Sequence, residues 1–103
     1  MVEMATKGAG LLSGTEKAMG NIRALHSSSN YHAVSACLQL QVGNKAGAHK
    51  HFCLAGRDLV RVCECSKKIG IGLEEIQKDL EQARRYFTVA HEISTEQALL
   101  RHG

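Results

Sequence analysis

The chain has 103 residues, 44% of them hydrophobic and 22% charged, with a formal net charge of +3. That length suits one domain, the apolar share excludes a disordered chain, and the weak charge excludes the strong imbalance of a dedicated nucleic-acid binder. With no Trp, no Pro, two Tyr and two Phe, the core must come from Leu, Ile, Val, Ala, Met and Cys, which favours closely packed helices over a β-sandwich.

Residues 1–13, with Gly8, Gly10 and Ser13, read as a flexible arm ahead of a single helical domain over 14–103. No basic stretch followed by an apolar run opens the chain, and no apolar run is long enough to cross a membrane. A cytoplasmic protein with reduced Cys37, Cys53, Cys63 and Cys65 is therefore expected. Ser13 and Glu16 have capping-box spacing, which predicts a helix over 14–25. His26-Ser27-Ser28-Ser29-Asn30 then reads as a linker, because Ser and Asn favour caps and turns over helix interiors. A second helix is expected over 31–42 on Ala33, Val34, Cys37, Leu38 and Val42, although Leu38 to Val42 also alternates as a short strand would. Gly43 is a left-handed stop and Asn44 a cap for the next helix.

Residues 45–68 form the third helical segment, with Phe52, Ala55 or Gly56, Leu59, Val62 or Cys63, and Ser66 on its inner face. Gly56-Arg57-Asp58 is its weak point: Asp58 is a competent cap, so one helix or two both fit. Ile69 to Gly72 is a break. A long helix over 73–93 carries Leu73, Ile76, Leu80, Ala83, Phe87 and Ala90 as a seam for a partner helix, and Ser94-Thr95-Glu96 begins a short final turn. The expected fold is all-α: a small antiparallel helical bundle of four helices, or five with the final turn, because short links make neighbours antiparallel.

Ala48, Phe52 and Ala55 share their spacing with Ala83, Phe87 and Ala90, and the offset is 35 residues at all three positions. An offset of about 34 is the period of a helix–turn–helix repeat. The stretch 43–55 resembles the second helix of a tetratricopeptide repeat, in which small Ala residues allow close approach and Phe fills the gap. The resemblance implies helical hairpins and a concave protein-binding surface rather than an enzyme. The plain bundle is the leading reading and these hairpins the second.

His49-Lys50-His51-Phe52-Cys53 is the densest cluster of ligating side chains. On a helix His49 and Cys53 sit one turn apart and reach one metal, but Cys63 and Cys65 point apart, no Cys-x-x-Cys occurs, and zinc wants four ligands. Buried Cys with surface His is the plainer reading, and no cofactor is expected. His91-Glu92 opens a zinc-protease motif that fails at Thr95. Lys50, Arg57, Arg61 and Lys68 form a basic stripe on a segment with six Lys or Arg against two acids, whereas 73–93 has five acids against three bases. Such a stripe meets phosphates or an acidic partner, or is simply solvated. The lack of aromatics for stacking between its cations disfavours nucleic acid. Because the last two helices outrun the first two, Leu73, Leu80, Phe87, Leu99 and Leu100 are expected to be covered by a second copy of the chain. The best functional expectation is a protein-interaction module acting as a homodimer, with another protein as a further partner. The alternative is a small ligand- or metal-binding bundle, enzymes included, with a site around His49, His51, Cys53 and His91. No recognisable catalytic set favours the enzyme.

Overall fold

A computed structural model describes the backbone of residues 2–102 and the surroundings of side chains 14–100. Three helices follow one another, α1 (Val2–Gln41), α2 (Lys45–Lys68) and α3 (Leu73–His102), with no strand among the described residues. The all-α expectation holds, but the count of four or five helices does not. α1 also runs through Ser13, so the helix start expected at 14 with a Ser13 cap does not hold, and the surroundings of the arm expected over 1–13 lie outside the described residues.

The missing break is at 26–30, where α1 runs on without interruption. Each Ser costs a helix interior only about 0.5 kcal/mol, and tertiary contacts outweigh that here. Ser29 is buried and its hydroxyl donates to the Ala55 carbonyl on α2 at 2.9 Å. Its small side chain lets the two helices approach, as do Ala36 and Ala55, both fully buried. His26 Nε2 meets Asp79 Oδ1 of α3 at 3.2 Å. Residues 38–41 are helical, as the expected helix over 31–42 had it, and the alternative of a short strand at 38–42 does not form. The separate turn at 94–96 is absorbed into α3.

The two real breaks are local chain chemistry. Gly43 takes φ 80° and Gly70 φ 76°, the left-handed region that glycine enters without a Cβ penalty. Behind each glycine the next amide reaches back five residues, Asn44 N–H to the Gln39 carbonyl at 2.8 Å and Ile71 N–H to the Ser66 carbonyl at 2.9 Å. Both are Schellman stops. Asn44 then caps α2, its side chain accepting from the Gly47 amide at 3.0 Å.

α2 is the central element: it packs along both α1 and α3, which scarcely touch each other. It is one unbroken helix across Gly56–Asp58, and Ala48, Phe52, Ala55, Gly56, Leu59, Val62, Cys63 and Ser66 are all buried, as its sequence pattern predicts. Asp58 is buried too, and its Oδ2 has no hydrogen-bond partner among the described residues. From α1 come Ile22, Ser29 and Ala36, one heptad apart; from α3 come Ile76, Ala83, Ala90 and Ile93. The expected α3 seam is half right. Ile76, Ala83 and Ala90 are inside, whereas Leu73, Leu80 and Phe87 are exposed. Their inward places go to Asp79, held by His26, and Tyr86, whose ring lies 6.1 Å from that of Phe52. No described helix is long and apolar enough to cross a membrane.

Candidate docking surface

Because only α2 has neighbours on two sides, the two grooves beside it stay open. Between α2 and α3 lies a groove of about 530 Å³ walled by Val60 of α2 and by Leu80, Ala83, Arg84, Phe87 and His91 of α3. Phe87 in that wall rests against Gly56 of α2. A Cβ there would lie 2.8 Å from Cζ of Phe87, so the glycine is what allows the ring to rest against α2. Phe87 is still 41% exposed, as is Leu80, and the wall therefore presents apolar surface to water. Between α1 and α2 a second groove of about 440 Å³ is more polar, with Asn21, Leu25, Arg61, Glu64 and Lys68 along it.

The basic stripe runs along the solvent side of α2, with Arg61 and Lys68 lining the α1–α2 groove. Lys50, Arg57, Arg61 and Lys68 are all exposed, and a helix of 3.6 residues per turn aligns positions seven, four and seven apart. None of the four is in an ion pair among the described residues. The pairs found there are His26–Asp79, Lys45–Glu96 and Lys78–Glu75. Glu64 is the one acid between the last two cations of the stripe. Arg84 adds a cation on the α3 side of the apolar groove.

The ligating cluster is divided by the helix that carries it. His49 Nε2 and Cys53 Sγ approach to 3.8 Å on one side of α2. His51 points to α1, where its Nδ1 lies 2.9 Å from Nδ1 of His32. One imidazole donates and the other accepts, with ring centroids 5.2 Å apart and planes tilted by 29°. Cys53 packs against the core cluster of Ala36, Ala48, Phe52, Ala90 and Ile93. Burial pushes its thiol up from the ordinary 9.0, away from the thiolate that a metal would bind. Among the described residues no three His, Cys, Asp or Glu side chains converge as metal ligands. Cys63, raised first by burial and then by the charge of Asp79, donates its thiol to the Ile76 carbonyl at 3.6 Å. His91 belongs to α3 and lines the apolar groove instead of joining His49 and Cys53 on α2.

Of the five expected interface residues on α3, Leu80 and Phe87 wall the groove, and Leu73, Leu99 and Leu100 are exposed toward the two ends of the helix. Val60 and Arg84 are absent from the sequence-based expectation. Arg84 was legible as the polar residue between Leu80 and Phe87 on one helical stripe, but Val60 becomes part of a site only when α3 lies beside it. His32 likewise gains its partner from a residue 19 positions away. The chain matches no family model, no curated protein and no solved structure.

Proposed function

We propose that this chain is a small protein-interaction module whose α2–α3 groove receives an amphipathic helix with apolar residues on one face and acids beside them. The observation that carries this is the open apolar wall of Val60, Leu80 and Phe87 set next to cations that are unpaired among the described residues. A helix laid in such a groove anchors by side chains at i, i+3 or i+4, and i+7. Acids flanking those anchors would meet Arg84 on one lip and Arg57, one turn before Val60, on the other. Opposite charge at the rim steers encounter and selects partner sign more than it adds affinity. The resemblance of 43–55 to a repeat that binds proteins points the same way. Four free cysteines accord with work in the cytoplasm.

A display library of helix-forming 18-residue peptides, with randomised residues on every face, tests the reading. Selected peptides should carry Leu or aromatic anchors at helical spacing flanked by Asp or Glu. They should lose binding about tenfold or more to Phe87→Ser, and lose association rate, with a flatter salt dependence, to Arg57→Glu/Arg84→Glu. Selection of no peptide, or of peptides indifferent to Phe87, would defeat the proposal.

A further inference from the structure

The outer side of α1 carries a second apolar surface, separate from the groove. Tyr31, Val34 and Leu38 of α1, and Val42 in the turn just after it, are spaced by three, four and four residues, and the Val42 amide still bonds to the Leu38 carbonyl at 3.2 Å, which puts all four on one stripe. They are 67%, 60%, 55% and 76% exposed, on the side of α1 opposite buried Ser29 and Ala36. A helix end that is apolar on both sides is expected to be covered on both. The surrounding sequence is equally unusual. From Ala24 to Asn44 there is no Lys, Arg, Asp or Glu, in a chain that is 22% charged.

We infer that this face is where two copies of the chain pair, α1 against α1 and antiparallel about a two-fold axis near position 36. Three observations select a second copy as the occupant. The surface is charge-free, so an acidic partner of the kind proposed for the groove gains nothing here. A copy of the same surface, by contrast, buries no unpaired charge, and the core of an interface is where charged residues are depleted. The stripe is nearly palindromic. Tyr31 and Val42 have their midpoint at 36.5 and Val34 and Leu38 at 36, so an antiparallel pair sets Tyr31 against Val42 and Val34 against Leu38, each twice. That self-complementarity is what an isologous interface requires. The four side chains expose roughly 450 Å² per copy, over half of the ~800 Å² that each partner of a stable interface buries. Their neighbours along α1, Ser27, Cys37 and Gln41, are exposed and uncharged and add to it.

Sedimentation equilibrium of the full chain from 1 to 200 µM tests the pairing. A species of twice 11.2 kDa is expected. Leu38→Glu, at an exposed position, should leave helicity unchanged and raise the dimer dissociation constant about a hundredfold, because each new carboxylate would be buried against Val34 of the other copy with no cation to pair it. The register has its own test. In a Cys37→Ser background, Val34→Cys and Leu38→Cys chains mixed together should oxidise to each other faster than either does to itself. A monomer at 200 µM overturns the inference. So does a dimer that survives Leu38→Glu, or one that Leu80→Glu dissolves instead, which would move the contact to α3. The Leu38→Glu monomer should still bind groove peptides, so loss of pairing and loss of the groove are read separately.

Discussion

Gly56 and Phe87 make a two-residue test of the groove's construction. Replacing Gly56 by Ala gains about 1 kcal/mol of helix propensity in the middle of α2. Against that, the new Cβ would lie 2.8, 2.9 and 3.1 Å from Cζ, Cε2 and Cε1 of Phe87, too close for all three. The ring is the far end of a side chain already 41% exposed, so it swings toward solvent rather than forcing the helices apart. Moving a half-buried Phe off its support forfeits about half of the ~2–3 kcal/mol that full burial of such a side chain is worth. The two effects nearly cancel, and Gly56→Ala alone is expected to be within about 0.5 kcal/mol of neutral. In a Phe87→Ala background nothing opposes the propensity gain, and the same substitution should stabilise by about 1 kcal/mol. Urea unfolding followed by helical circular dichroism, with equal m-values in all four proteins, gives the coupling energy directly. A coupling near zero, with Gly56→Ala stabilising equally in both backgrounds, would refute the placement of the ring over the glycine.

The core supports three further expected outcomes. Asp58→Ala should raise stability by about 1–2 kcal/mol, since it removes a buried carboxylate oxygen with no partner and improves helix propensity; a drop in the urea midpoint would show that the carboxylate is satisfied. Ser29→Ala should cost about 1 kcal/mol for its hydrogen bond, but Ser29→Leu should cost more by overfilling the α1–α2 contact, read as a larger fall in melting temperature. For the thiols, burial raises Cys53 and Cys63 above 9.0 in the folded protein, so folding holds their protons more tightly than the unfolded chain does. The stability they protect is intact below about pH 9 and is lost as pH climbs through the raised folded values. A double Cys53→Ala/Cys63→Ala variant should therefore show a shallower loss of stability as pH rises above 9. Over the same range exposed Cys37 should react first with a thiol reagent and buried Cys63 last, and the reverse order would contradict this burial pattern.

The amino-acid sequence by itself determined whatever a few neighbouring residues decide. Gly43 and Gly70 stop helices because left-handed backbone needs no partner beyond the local turn, and Asn44 caps α2 through an amide three residues on. The inner face of α2 was legible because the helix packs on two neighbours, and any apolar stripe on it had to be buried. His49 and Cys53 meet because one helical turn brings them together.

Tertiary structure decided the rest. Whether Ser27-Ser28-Ser29 is a linker or helix interior turns on a few tenths of a kcal/mol per residue, less than one buried contact between Ser29 and Ala55. On α3, positions 79 and 80, or 86 and 87, serve a heptad seam equally well. His26 and Phe52 on other helices chose Asp79 and Tyr86, which left Leu80 and Phe87 to wall a groove. The pairing of His32 with His51 has the same origin, as does the exposure of the apolar stripe on α1: both depend on which side of each helix a distant segment covers, a long-range choice that local periodicity leaves open.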